Sequence, residues 1–357
     1  MDLAALGWND TFAQHFAAWA GKPDVTPGRV AIEFNYLYRV LSAAGELEAT
    51  AAGRLRHRAA SRSELPVVGD WVVVRKGAGE HQAAIQAVLP RRSKFSRKAA
   101  GNVTDEQVVA ANVDIVFVVM ALDQDFSLRR LERYLLLARE SGAAPVVLLT
   151  KPDLCDDVAG RLGNVVALTG DVPVHVLSPK THQGLEPIAA YLTPGRTGAL
   201  LGSSGVGKST LINALAGSDV QKTSAVREAD SKGRHTTSHR ELVLLPSGGL
   251  IIDTPGMREL QLWDVGDAVR QTFDDVQALA PGCHFSDCRH REEPRCAVKA
   301  AVAEGRLPAD RLESYLKLQD EIAHVERQQD ERLQLEEKRR SKVIGKALKT
   351  QYKQRSR

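Results

Sequence analysis

Apolar positions change their period along the chain. Between Leu6 and Trp19, the residues Leu6, Phe12, Phe16 and Trp19 recur at roughly helical spacing, which predicts a short amphipathic helix. Pro23, Pro27 and Gly28 then break the chain. From Arg29 to Lys98 the β-prone runs are short: Val30–Ile32, Tyr36–Val40, Gly53–Arg56, Trp71–Val74 and Ala84–Val88. Turn residues separate them at close intervals, which predicts a small barrel or sandwich. A five-stranded barrel of the oligonucleotide-binding (OB) type and an SH3-like barrel both fit that pattern.

From Val113 the pattern alternates between strand and helix. Ile115–Met120 is a continuous apolar run, as expected of a strand buried on both faces. Leu128–Arg139 has helical periodicity, and Thr210–Ala216 is a second helical segment. Val146–Leu149, Val174–Leu177, Ala199–Leu201, Leu242–Leu245 and Leu250–Ile252 are further strand candidates. Together they predict an α/β domain with a largely parallel sheet. After Asp264 the chain turns helical, and Asp310–Arg340 is a charged helix with Leu312, Leu316, Ile322 and Val325 on one side. The expected division is a helical extension (1–27), a barrel (28–100), an α/β domain (101–265), a helical domain (266–337) and a tail (338–357).

Composition excludes two classes. Of the 357 residues, 43% are hydrophobic and 26% charged, which is unlike a disordered chain. No run of eighteen apolar residues predicts a membrane span, and Met1–Ala5 has no basic or apolar leader character. A cytoplasmic monomer is expected. The net charge of +4 hides an uneven distribution: Lys338–Arg357 holds nine Lys or Arg and no acid, leaving −5 for the rest. Gly28–Lys98 is also basic, with 13 Lys or Arg against 6 acids. A basic barrel and a basic tail point to a polyanion such as RNA; the alternative for the tail is a solvated run. Arg54, Arg56, Arg58 and Arg62, then Arg91, Arg92, Lys94, Arg97 and Lys98, form the barrel's basic clusters. Aromatic residues are only 5% of the chain, so phosphate and shape recognition fits better than base stacking.

Gly202-Ser203-Ser204-Gly205-Val206-Gly207-Lys208-Ser209 fits G-x-x-x-x-G-K-[ST] between a strand and a helix that starts near Thr210. Glycines let backbone N–H groups converge on phosphate, Lys208 reaches the β- and γ-phosphates, and the Ser209 hydroxyl suits Mg²⁺. Asp253-Thr254-Pro255-Gly256 follows Leu250–Ile252; Asp253 is placed for Mg²⁺ and Gly256 for a γ-phosphate. Thr150-Lys151-Pro152-Asp153 ends another strand and has the form of a guanine-specificity motif. In that form Asp153 accepts from the guanine N1–H and amino group, and the Lys151 stem covers the base. Ser178-Pro179-Lys180 sits where a second base-contact loop belongs. All four fall at strand ends, where open α/β sheets bind ligands. The base motifs precede the phosphate loop, so the order is circularly permuted.

Three of the four cysteines lie within fourteen residues. Cys283, Cys288, His290 and Cys296 supply a closed tetrahedral donor set for one structural Zn²⁺. His284 is a rival ligand, and Cys155 reads as an ordinary small apolar residue.

Taken with Val68-Gly69-Asp70-Trp71-Val72, Ala110-Ala111-Asn112-Val113-Asp114 and Gly233-Arg234-His235-Thr236-Thr237, these motifs make the chain closely resemble the circularly permuted, bacterial small-ribosomal-subunit-dependent GTPase A family. The resemblance covers nearly the whole chain. It implies an N-terminal OB-fold barrel, a permuted P-loop GTPase domain and a C-terminal helical zinc-binding domain. It also implies late maturation of the small ribosomal subunit through its rRNA, with subunit-stimulated conversion of GTP to GDP. Gly233–Thr237 is then the first switch, Thr236 or Thr237 completes the Mg²⁺ shell, and His235 orients water. The alternative for His235 is a loop histidine touching RNA or solvent. Two departures stand out. Pro179 has no N–H to donate, which leaves that role to Lys180 or a neighbour. Met257 follows Gly256, where many GTPases carry a water-orienting Gln, so low basal turnover is expected. The rival readings are a nucleotide-gated RNA-binding module with little turnover and an ATP-dependent P-loop enzyme.

Overall fold

The computed structural model describes residues 1–34, 36–77, 82–98, 106–217, 240–253, 269, 272–323 and 327. Strands β1 (Val25–Phe34), β2 (Leu37–Ser42), β3 (Gly45–Ala51), β4 (Trp71–Lys76) and β5 (Gln82–Val88) form a barrel. They pair in the order β1-β2-β3-β5-β4, and β4 returns to β1, so the barrel is closed. Only the β3–β5 contact is parallel within it. This five-stranded circuit distinguishes the OB-type barrel from the SH3-like alternative. Val30, Tyr38, Val40, Leu47, Val72, Val74 and Ile85 fill the interior.

One local expectation fails. Gly53–Arg56 is not a strand; Gly53–Arg58 is a helix, α2. It has no β-branched residue, and Arg and Leu are good helix formers. The strand that closes the barrel at that point is β3, whose Glu46, Glu48 and Thr50 alternate with the buried Leu47, Ala49 and Ala51.

Helix α1 (Asp10–Phe16) is capped by the Asn9 side chain, which accepts from the Phe12 N–H at 3.2 Å. The helix docks on the barrel through aromatic packing. Trp8 lies 4.8 Å and Phe12 5.8 Å from the Trp71 ring, centroid to centroid.

The same sheet continues beyond β1 through β8 (Ile115–Ala121), β9 (Ala144–Thr150), β10 (Val174–Val176), β11 (Thr197–Leu201), β12 (Arg240–Leu244) and β13 (Leu250–Asp253), ordered β10-β9-β8-β11-β13-β12 with β12 next to β1. All neighbours among these strands are parallel except β12–β13. Helices α3 (Leu128–Glu140), α4 (Val158–Thr169), α5 (Glu186–Tyr191) and α6 (Lys208–Ala216) connect these strands. Phe117, Val119, Leu148, Ile188, Leu200, Leu211 and Ile251 form the shared core. An antiparallel pair, β6 (Lys94–Lys98) with β7 (Glu106–Ala111), leads from the barrel into β8.

Barrel and sheet form one unit over Met1–Lys98 and Asp105–Gln261. Their seam is built from two of the sequence motifs. Arg29 is fully buried and donates to the carbonyls of Leu6, Gly69 (3.3 Å) and Asn112 (3.1 Å). Burial pulls its pKa down to about 10, with Asp114 opposing, so it stays charged at neutral pH. Asn112 takes a left-handed φ of 55° and donates its amide to Gly69 O at 3.1 Å. Gly69 (φ +90°) is required there, because a Cβ would lie 2.1 Å from Ala111 O. Asp70 receives two bonds from Arg91, each 2.8 Å, and one from the Val67 N–H at 2.8 Å.

The other unit is Ala99–Thr104 with Leu262–Arg357. Its described part contains short helices over Asp274–Leu279 and Ala297–Ala303, then helical residues 309–323. Phe273, Val276, Val298, Leu312, Tyr315 and Leu318 are buried in it. Among the described residues no helix is long and apolar enough to cross a membrane.

Candidate nucleotide site and metal centre

β11 lies inside the parallel sheet, between β8 and β13, and the glycine-rich loop leaves its carboxyl end. Gly202 is buried at the start; a Cβ there would come 2.3 Å from Val119 O, so no side chain fits. Gly205 (φ +78°) and Gly207 (φ +98°) take the left-handed backbone that turns the loop into α6. Ser204 and Gly205 are exposed at the tip, and Ser209 and Thr210 sit half-buried in the first turn of α6. The Lys208 ammonium curls back into the loop, donating to Gly202 O (2.9 Å) and Ser203 O (2.5 Å). Ser203 Oγ accepts from Arg130 Nη1 of α3 at 3.1 Å.

Thr150 ends β9 and is fully buried. Its hydroxyl donates to Val206 O inside the phosphate loop at 2.7 Å. The residue commonly Asn in this motif is thus Thr, and it ties the motif's strand to the loop. Lys151 follows at a left-handed φ of 56°. Its ammonium meets Asp123 Oδ2 at 2.9 Å. Asp153 is exposed on the single turn Pro152–Leu154. Ser178 and Pro179 are buried and Lys180 is exposed; the Ser178 N–H closes a turn on Gln183 O at 2.9 Å.

On the other side of β11, Asp253 ends β13, half-buried. Burial raises its pKa, Lys208 opposes the rise and Glu241 adds to it. Glu241 stands directly opposite Asp253 in the β12–β13 ladder. The Asp253 carboxylate and the Ser209 hydroxyl are oxygen donors of the kind Mg²⁺ takes. Gly256, His235, Thr236 and Thr237 lie outside the described residues, as do Met257 and the tail.

The sequence motifs missed Asp123, Arg130 and Arg161, which lie on the β8–α3 connection, α3 and α4. Their only signal is position: Asp123 follows the buried β8 run directly.

Cys283, Cys288, His290 and Cys296 bring their donor atoms within 4.8 Å of one another. Cys283 Sγ is 3.8 Å from Cys296 Sγ and 3.5 Å from His290 Nδ1, and His290 Nδ1 is 3.4 Å from Cys296 Sγ. A zinc tetrahedron with Zn–S near ~2.3 Å has S···S edges of about 3.8 Å, so the set fits. Burial lowers the His290 pKa, which keeps the ring neutral, as a ligand must be. The rival His284 packs its ring edge-on against Phe285 at 4.8 Å instead.

The basic clusters separate. Arg54, Arg56 and Arg58 are exposed on or beside α2. In contrast, Arg91 pairs with Asp70, Arg92 with Asp114 (3.0 Å) and Lys94 with Glu106 (2.7 Å). Arg91, Arg92 and Lys94 of that second cluster are therefore committed to the seam and to the β6–β7 pair.

A glycine-rich loop on an interior strand of a parallel sheet, with a base motif on β9 and an acidic strand end on β13, defines a circularly permuted P-loop GTPase. Comparison with known proteins agrees. Residues 88–263 match the model of the RsgA GTPase family. The small ribosomal subunit biogenesis GTPase RsgA of Opitutus terrae is 51% identical, covering 96% of each chain. The protein of that name from Syntrophotalea carbinolica is 43% identical, again covering 96% of each. Among solved structures, YjeQ from Thermotoga maritima aligns with a TM-score of 0.62 at 26% identity, covering 84% of this chain and 99% of that one. YloQ, described as a circularly permuted GTPase, aligns at 0.59 and 25% identity, covering 85% and 97%. The chain belongs to the RsgA GTPase family.

Proposed function

We propose that this GTPase binds the small ribosomal subunit, assists its late maturation, and hydrolyses GTP to GDP and phosphate faster when bound, with hydrolysis coupled to release. The observation that carries the proposal is the convergence of Thr150, Val206, Lys208 and Asp253 at the carboxyl ends of neighbouring parallel strands. Backbone N–H groups of Gly202–Ser209 and Thr210 would cradle the phosphates. Lys208 would exchange its two loop carbonyls for phosphate oxygens. Lys151, Asp153, Ser178 and Lys180 would frame guanine.

Ser209 and Asp253, with Thr236 or Thr237, would hold Mg²⁺, which neutralises charge on the β- and γ-phosphates when bound. His235 would orient the attacking water, and Gly256 would donate to the γ-phosphate. Zinc at Cys283, Cys288, His290 and Cys296 would serve folding, since four protein ligands leave no open position. The exposed arginines of α2 would contact rRNA phosphates, with the tail adding salt-dependent affinity.

The test is phosphate release from GTP and from ATP, with and without purified small subunits. Low basal turnover that rises strongly for GTP alone supports the proposal. A lack of stimulation for either nucleotide favours a nucleotide-gated binding module.

A further inference from the structure

The base motif of this chain is held from a place no motif marks. Asp123 stands at the start of the β8–α3 connection and accepts four bonds, one of them from the Phe126 N–H to its carbonyl at 3.2 Å. Its Oδ2 takes the Lys151 ammonium at 2.9 Å, its Oδ1 accepts from the Asp125 N–H at 2.9 Å, and its carbonyl accepts from Arg161 Nη1 at 3.0 Å. The Arg161 guanidinium in turn rests over the Phe126 ring, 5.0 Å from its centroid. Both charged partners are partly open to solvent, at 22% for the Asp123 side chain and 32% for Lys151. Burial alone would raise the Asp123 pKa, but the bond and charge of Lys151 together with the Asp125 N–H outweigh it and hold the pKa below the ordinary value.

We propose that Asp123 is a positioning residue for base specificity: its carboxylate anchors the Lys151 ammonium, so the lysine stem stands fixed as one wall of the guanine pocket before nucleotide arrives. This rests on the base-loop assignment proposed above. A free lysine has many rotamers, and ordering them on binding opposes affinity. Here the backbone of Lys151 is set by its left-handed φ and the far end by Asp123. Only the stem between them is left to face a base. The Asp123 carboxylate bonds Lys151 and the Asp125 N–H rather than the phosphate loop, so its main effect is expected on the base.

The experiment is calorimetric titration of the full chain with GDP and with pyrophosphate. Asp123→Ala is expected to weaken GDP about fivefold to tenfold and leave pyrophosphate unchanged. Asp123→Asn keeps an acceptor for Lys151 and should stay within about threefold of wild type. Unchanged GDP affinity in D123A overturns the proposal. So does equal weakening of GDP and pyrophosphate, which would mark general damage to the site. Asp153→Asn, measured in parallel, separates the two failures. A missing shift towards xanthosine diphosphate overturns the base-loop assignment and the role of Asp123 with it. A normal shift beside an unaffected D123A overturns Asp123 alone.

Discussion

Replacing Asp70 by Asn should destabilise barrel and GTPase sheet together. The carboxylate is fully buried and the Arg91 side chain is only 15% exposed. Arg91 also donates to Ser63 O (2.6 Å) and Leu65 O (2.9 Å), so it cannot swing to water without breaking those bonds. A buried pair adds little net stability, because desolvation offsets the attraction; breaking it is what costs, at about 3–5 kcal/mol. The unit spans roughly 250 residues. At about 2.1 cal/mol/K per residue its unfolding entropy is about 0.5 kcal/mol/K, so the midpoint should fall by about 6–9 °C. The assay is thermal and urea unfolding followed by tryptophan fluorescence and far-ultraviolet circular dichroism. Asp70→Asn, Arg91→Met and the double variant complete the cycle. The double variant leaves no unpaired buried charge, so a coupling of about 2–3 kcal/mol is expected. Strictly additive losses, or separate transitions for barrel and sheet, would refute the reasoning.

Three further outcomes are expected. Thr150→Val keeps the shape of a buried side chain but leaves Val206 O without its 2.7 Å donor; fluorescent-GDP titration should show affinity about tenfold weaker, and an unchanged value would mean the loop holds itself. Elemental analysis of protein purified without chelator should find one zinc per chain, lost in Cys296→Ser and kept in His284→Ala; a zinc-free preparation would sink the metal assignment. For Glu106, burial would raise the pKa, but bonds from Lys94 (2.7 Å) and Ser96 (2.6 Å) outweigh it and leave the pKa lowered. Its stabilisation of β6–β7 is therefore full above the ordinary glutamate range and fades as pH falls through the depressed folded value. Glu106→Gln should flatten the acid side of a urea-midpoint profile between about pH 3 and 6, and an unaltered profile would count against the pair.

Local features were legible in the sequence and tertiary ones were not. The phosphate loop could be read because its glycines, lysine and hydroxyl are contiguous and its chemistry is set by the backbone. Cys283, Cys288, His290 and Cys296 span fourteen residues, and their donor atoms lie within 4.8 Å of one another. Strand β3 escaped because Glu46–Ala51 has no β-branched residue except Thr50, and only its alternation of buried and exposed positions marks it. The seam escaped because its bonds join residues 40 and 83 positions apart, as in Arg29 to Gly69 and to Asn112. Arg91 looked like a phosphate ligand for the same reason: its partner Asp70 lies 21 residues away.

The permuted order costs the nucleotide site nothing, because a parallel sheet gathers strand ends whatever their order in the chain. β11 stands between β8 and β13, so the phosphate loop has the base motif of β9 towards one side and Asp253 on the other. What the permutation changes is how the barrel is attached. The chain enters β8 from the barrel through β7, a covalent tether. The barrel is also joined through β1, which pairs with β12 at Ile32↔Glu241 and Glu33↔Arg240 and carries a 3.7 Å ion pair between Glu33 and Arg240. β12 pairs on its other edge with β13, so Ile32, Glu241 and Asp253 form one row across three strands. A single tether would let the barrel turn about it. A second attachment at a separate strand, with buried Arg29 bonded to both bodies, removes that freedom. Anything bound on α2 would then be held at a fixed distance from Asp253, and the barrel acts as a rigid extension of the sheet that carries Asp253.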